Sequence, residues 1–201
     1  MRINAVSARS TRAEDALAAT ADLDAYMTDR RVLRALINIE RDHLPKTLLD
    51  PCAGTGNWLL EFRDAGYTMH ARDIYDYGFP GTVIGDYLKA VPWPGVEGIC
   101  TNPPFFLSKE FLEKALSEVG YVVFLQRTNW LESTKRLPMF KAHPPARVWI
   151  SSRRLPTMHR HGWTGKQAAS NICFAFYVWD AKADKGVTRL MWFDWKTLET
   201  V

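Results

Sequence analysis

Val32, Leu33, Leu36 and Ile37, followed by Glu40, recur at the spacing of one helical face, and His43-Leu44-Pro45 closes the segment they define. The spacing predicts a helix opening near Thr28. Upstream, Thr11-Arg12-Ala13-Glu14 has the form of a capping box and predicts a short alanine-rich helix after a polar arm. From residue 47 the pattern alternates between runs with strand and helix character. Thr47 to Leu49 reads as a short apolar strand, Asn57 to Ala65 as a helix stopped by Gly66, and Tyr67 to Ile74 as a strand ending in acids. Thr82 to Leu88 reads as a further strand or strand end and Gly98 to Thr101 as another. Ser108 to Val119 is a helix stopped by Gly120, and Tyr121 to Gln126 a continuous apolar strand buried on both faces. Ala146 to Ile150 and Asn171 to Trp179 are strands as well, and Asp184-Lys185-Gly186 turns the chain into Thr188 to Trp195.

Strands alternating with helices imply an α/β domain whose mostly parallel sheet is covered by helices on both faces. Ligands in such sheets bind beyond the carboxyl ends of the strands. The 201 residues suffice for one domain with its own core. Within it, 1–45 is expected to hold N-terminal helices, 46–180 the α/β core and 181–201 a C-terminal extension. A hydrophobic fraction of 47% with eight tryptophans supports a folded globule, and no apolar stretch is long enough to span a bilayer. The expectation is a cytoplasmic protein without a membrane partner. Cys52, Cys100 and Cys173 are odd in number and stand in apolar or strand-like contexts, which fits reduced thiols rather than a disulfide framework or a metal site.

Charge adds a second feature. The net charge of +4 is uneven, because residues 121–170 carry nine Lys/Arg against the single acid Glu132, which leaves the remainder at −4. A basic face of this kind suits a phosphate backbone, although a solvated surface without a partner is the plainer reading of the same residues.

Two segments carry candidate chemistry. Leu48-Leu49-Asp50-Pro51-Cys52-Ala53-Gly54-Thr55-Gly56-Asn57 places a strand, a glycine-bearing loop and a helix start in the order a nucleotide-like ligand requires. Leu59 stands where a dinucleotide fingerprint has its third glycine, which counts against NAD, and no Gly-Lys-Ser/Thr of a P-loop is present. Thr101-Asn102-Pro103-Pro104-Phe105 follows a strand. Two successive prolines make it stiff and extended and leave carbonyls unpaired. With the Asn102 amide and the flat face of Phe105 it could hold a planar ring bearing an amino group.

Asp-Pro-Cys-x-Gly-x-Gly resembles motif I of class I S-adenosylmethionine-dependent methyltransferases, and Asn102-Pro103-Pro104-Phe105 resembles the (D/N/S)-P-P-(Y/F/W) motif of the amino-methyltransferases among them. The resemblance covers roughly residues 24 to 180 and implies a Rossmann-like class I fold with a seven-stranded, mostly parallel sheet. It implies S-adenosyl-L-methionine as cofactor, with Asp50, Cys52, Ala53, Gly54, Gly56 and Asn57 around its methionine part. Asp73, 23 residues after Asp50, would bind the ribose hydroxyls beside Ile74, with Asp76 as a rival. In Gly85-Asp86-Tyr87-Leu88 the resemblance gives Asp86 to the adenine amine and Tyr87 to its ring. Asp24-Ala25-Tyr26-Met27-Thr28-Asp29 is similar to the Tyr-x-Thr-Pro segment of adenine methyltransferases, which assigns Tyr26 and Thr28 to the methionine end. Asp29 stands in place of the proline, and a simple helix cap at Thr28 explains the same residues.

On the reacting side, the Asn102 side-chain oxygen and the Pro103 carbonyl would accept the two hydrogens of an exocyclic amine. Pro104 would shape the loop and Phe105 would stack on the base, with Phe106 a second candidate; Asn102 would also border the cofactor. A base in a duplex would have to be flipped out to reach them. The expected reaction is methyl transfer to adenine N6, with DNA favoured over RNA as nucleic-acid partner. Arg153, Arg154, Arg160, Trp163 and Lys166, in the long loop before the last core strand, are the candidate nucleic-acid contacts. Methylation of an RNA base or of a protein glutamine uses the same motif and remains an alternative. A non-catalytic binding subunit of a modification complex is the alternative from another class. A small enzyme of this kind resembles those of phage or bacterial origin.

Overall fold

The structure is a computed structural model that describes residues 27–156, 172–184, 186–198 and 200. The expected Thr11 helix, Tyr26, Arg160, Trp163 and Lys166 lie outside them.

Among the described residues, eight strands form one sheet: β1 (Thr47–Asp50), β2 (Thr68–Asp73), β3 (Thr82–Ile84), β4 (Gly98–Thr101), β5 (Tyr121–Arg127), β6 (Arg147–Ser151), β7 (Phe174–Asp180) and β8 (Arg189–Phe193). Their order is β3-β2-β1-β4-β5-β7-β6-β8. Every pairing is parallel except those that β7 makes with β5 and β6. The sheet therefore has eight strands where seven were expected. Arg189–Phe193 does not stand apart as an extension but pairs with β6 from Arg147↔Arg189 to Ser151↔Phe193.

Among the described residues, four helices flank the sheet, α1 (Arg30–Glu40), α2 (Asn57–Asp64), α3 (Ser108–Glu118) and the short α4 (Leu137–Ala142). None is long and apolar enough to cross a membrane among the described residues. The central strands are buried on both faces, so alternate residues feed two cores. Tyr121, Val123 and Leu125 of β5 and Phe174, Phe176 and Val178 of β7 join Leu33, Leu36, Leu59 and Phe62 of α1 and α2. Val122, Phe124, Tyr177 and Trp179 face the other way, onto Phe111 and Leu112 of α3 and Met139 of α4.

The cap of α1 differs from expectation. Asp29, not Thr28, is the N-cap, and its Oδ1 accepts the Arg31 backbone N–H at 2.8 Å. At the other end Glu40 is fully buried and completely satisfied. It accepts from Arg147 Nε (2.8 Å) and Nη2 (2.9 Å), Trp149 Nε1 (2.6 Å) and the Tyr121 hydroxyl (2.7 Å). Arg147 also reaches Asp180 at 2.9 Å. One carboxylate thus pins α1 to β5 and β6.

Candidate active site

β1 and β2 deliver their last residues to the same sheet edge. The main chain after β1 turns sharply there, with Gly54 at φ +51° and Gly56 at φ +83°, conformations that carry a strain for any residue with a Cβ. Neither glycine faces empty space. A Cβ on Gly54 would lie 2.9 Å from Met27 Sδ, and one on Gly56 2.0 Å from the Phe79 ring. Gly56 opens α2 without a side-chain cap. The loop is tied to β2 by Ala53 N–H on the Arg72 carbonyl (3.0 Å) and by Gly54 N–H on Asp73 Oδ2 (2.8 Å).

A cleft opens beside this loop. Thr28, Cys52, Ala53, Gly54, Asn57, Asp73, Ile74, Asp86, Tyr87, Asn102 and Pro104, all proposed from sequence, line it. Asp50 and Gly56 do not: Asp50 is fully buried behind the wall, and Gly56 lies under Phe79. Pro103 is buried and Phe105 half-buried, and neither borders the cleft, whereas the exposed Phe106 does. Met27, Trp58, Tyr75, Tyr77, Leu107 and Phe111 are further lining residues, not expected from sequence. The dense aromatics of Tyr75-Asp76-Tyr77, straight after the β2 acid, were the available signal for two of them.

The two acids behave differently. Asp50 Oδ1 accepts from Thr101 Oγ1 (2.6 Å) and the Cys52 backbone N–H (3.0 Å), while its Oδ2 is buried without a hydrogen-bond partner. Burial pushes its carboxyl up to about 7, against the pull of those donors, and nearby Asp73 adds to the rise. Asp73 is 6% exposed at the cleft wall, and its carboxyl is also raised by burial, opposed by the backbone N–H groups of Tyr75 and Gly54. Its rival Asp76 is exposed, caps Gly78 N–H at 2.8 Å and does not line the cleft. Burial and the same two acids hold the Cys52 thiol well above its ordinary range, so it stays protonated and packs.

Several of the residues proposed from sequence spend their polar groups on the protein. Thr28 accepts from Trp58 Nε1 at 3.3 Å, and its carbonyl accepts from Asn57 Nδ2 at 2.9 Å, which joins the starts of α1 and α2. Asp86 Oδ1 caps Leu88 N–H (2.9 Å) at the head of a 3-10 turn, Tyr87–Lys89, so the strand expected through Leu88 ends at Ile84. Tyr87 is buried against Phe111, with its hydroxyl donating to Glu118 at 2.9 Å.

Asn102 and the two prolines follow β4, but the chain does not stay extended: Phe105–Leu107 forms a 3-10 turn into α3. The Pro104 carbonyl, expected to be unpaired, accepts Leu107 N–H at 3.0 Å and lies 3.2 Å from Ser108 Oγ.

Because β7 runs against its neighbours, β6 ends and β7 begins on the edge that carries the cleft. Arg153 and Arg154 follow β6 there. Arg153 makes a bidentate pair with Asp194 (2.7 to 3.1 Å), and Arg154 Nη1 reaches Cys173 Sγ.

No family model and no curated protein matches the sequence. Solved structures do match the chain's architecture. A candidate class I S-adenosylmethionine-dependent methyltransferase from Listeria monocytogenes superimposes with a TM-score of 0.60 at 16% identity, over 84% of this chain and 66% of that one. The fold is that of the class I methyltransferases. A candidate RNA methyltransferase from Pyrococcus horikoshii (TM-score 0.58, 19% identity) covers 77% of this chain and 86% of its own. The modification subunit of a candidate type I restriction enzyme from Vibrio vulnificus YJ016 (TM-score 0.56, 14% identity) covers 92% and 50%. The chain thus spans about two thirds of the Listeria protein and half of the Vibrio subunit. In this class I sheet, the glycine loop after β1, Asp73 at the end of β2 and Asn102 after β4 share one cleft.

Proposed function

We propose that the chain transfers a methyl group from S-adenosylmethionine to an exocyclic amine, namely N6 of adenine in DNA. The observation that carries this reading is the meeting of Asn102 and Pro104 with Gly54 and Asp73 around one cleft.

The lining fits the cofactor's chemistry. Buried Asp73 offers acceptors to ribose hydroxyls, Asp86 an acceptor to an amine, and Tyr75, Tyr77 and Phe111 an apolar aromatic wall for a nucleobase. Cys52, Ala53 and Gly54 are small enough to let a ligand approach the backbone. When bound, S-adenosylmethionine supplies a methyl group on a positively charged sulfur. Asn102, which borders the cleft, would accept a hydrogen of the adenine amine through Oδ1 and so draw the nitrogen lone pair out of conjugation. Bound S-adenosylmethionine would supply the methyl group to that lone pair, with the C–S electron pair returning to sulfur and one amine proton leaving to water. Such an acceptor acts by placement and by stabilising positive charge growing on nitrogen. No group of special pKa is needed, in keeping with the protonated state of Cys52.

The test is incorporation of labelled methyl groups into duplex DNA, single-stranded DNA, RNA and protein, followed by nucleoside analysis. N6-methyladenine in DNA is the expected product. Label confined to RNA or to protein glutamine retains the chemistry and replaces the substrate, and label nowhere makes the chain a binding subunit.

A further inference from the structure

β5 ends in Gln126-Arg127, beside the strand that leads into Asn102. Successive side chains on a strand point to opposite faces, and these two meet the 102–108 segment in different ways. Gln126, 1% exposed, donates from Nε2 to Ser108 Oγ at 2.7 Å, and Ser108 Oγ lies 3.0 Å from the Phe105 carbonyl. This chain of bonds sets the shape of the loop. Arg127 lays its guanidinium over the Phe105 ring, 4.5 Å from the ring centre.

The position is an unusual one for an arginine. Its Nε is buried and has no hydrogen-bond partner, and among the described residues no carboxylate pairs with it. A guanidinium carries five donors and a charge that cannot be discharged by deprotonation. The face of a ring offsets part of the cost of drying such a group, but it accepts no hydrogen bonds in the plane of the fork. An anion with two oxygens in that plane would accept them.

We propose that Arg127 takes a phosphate of the target nucleotide and in doing so uncovers Phe105 for the incoming base. The inference rests on the nucleic-acid reading of the preceding subsection. Both halves of the exchange come from one nucleotide: its base supplies a π-face to replace the guanidinium on Phe105, and its phosphate supplies the in-plane acceptors the ring lacks. Free protein keeps the aromatic covered, and the covering charge is the same one that attracts the substrate. A phosphate is favoured over a base edge because the group to be neutralised is a full charge with no carboxylate partner among the described residues.

Arg127→Met keeps the length and apolar stem of the side chain and removes the fork. Methyl transfer to a duplex oligonucleotide is measured against salt concentration for this variant and the native protein, with S-adenosylmethionine affinity measured by calorimetry. The expected result is a KM for DNA raised about tenfold and a salt slope shallower by roughly 0.7 to 0.9, the amount for one phosphate contact, at unchanged cofactor affinity. A merely structural residue would not move the salt slope. If Arg127→Met does not fold, Arg127→Gln is read in the same way. A native slope and KM in the variant overturn the proposal while leaving adenine methylation in place. A native protein that methylates no nucleic acid overturns both together.

Discussion

Thr101 Oγ1 donates to Asp50 Oδ1 at 2.6 Å, with both residues fully buried, and so ties the end of the strand before the glycine loop to the end of the strand before Asn102. The bond leaves the other oxygen of Asp50 dry and without a partner. The folded protein therefore resists ionising this acid: its pKa is pushed up to about 7 from 3.8. A raised acid binds its proton more tightly folded than unfolded, so stability declines as pH rises from 3.8 to about 7 and levels off above it. Asp50→Asn removes that decline. Thermal unfolding of both proteins at about pH 5 and about pH 8 checks this, with the difference between them expected to shift in favour of the variant at the higher pH.

The same acid should report on the cleft wall in front of it. A cationic ligand entering the cleft favours the carboxylate, and a proton is then released. Calorimetry of S-adenosylmethionine binding at about pH 6 in buffers of different ionisation heat is expected to show release of a fraction of a proton. In Asp50→Asn the release should shrink. Equal heats across buffers in the native protein would show that the cleft does not sense the ligand's charge through Asp50.

Asn102→Ala tests the reacting side. Loss of an acceptor that acts mainly as charge develops should cost about 10²-fold or more in kcat, by analogy with the removal of one oxyanion-hole donor. Cofactor affinity should change little. Single-turnover rates and equilibrium binding of S-adenosylmethionine separate the two, and a variant with native turnover would remove Asn102 from the mechanism.

Glu40 makes a prediction about stability alone. Glu40→Gln keeps the shape but leaves the buried Arg147 guanidinium with only Asp180 as a carboxylate partner. Breaking a buried pair from one side costs about 3–5 kcal/mol. Denaturant unfolding should show a loss approaching that size, without any change in the residues that line the cleft.

Gly56→Ala combines two penalties, a positive φ of 83° and a Cβ 2.0 Å from the Phe79 ring. Backbone strain of this type costs about 1–3 kcal/mol, and the displaced ring adds to it. A lowered Tm is expected, and Gly56→Ala combined with Phe79→Ala should recover part of the loss. Failure of the second substitution to help would place the whole penalty in the backbone.

Most of the sheet was legible because its strands are continuous apolar runs with turn residues at both ends. Gly98–Thr101 matched to the residue, and β5 came within one. α4 was missed because six residues with a proline at the start present no helical period. The strand expected through Leu88 failed at Asp86, whose carboxylate competes for the backbone two residues on. Asp73, Asp86 and Asn102, singled out for their places at or just after strand ends, all line the cleft. What could not be found were pairs made by the fold: Phe79 on Gly56, Met27 on Gly54, Arg127 on Phe105. Each joins residues far apart in the chain whose local sequences carry no mark of the other. The free Pro104 carbonyl was a local inference defeated locally, since Leu107 turns back to use it.

The reversed direction of β7 has a consequence for how such a protein can change. The connection from Ser151 to Phe174 leaves the sheet and returns to it on the cleft side. Its two anchor points are held by the pairing of β6 with β7, whatever runs between them. A change of length or sequence between those anchors leaves the pairing of β7 with β5 and β6 in place, and with it the strands that end at Asp50, Asp73 and Thr101.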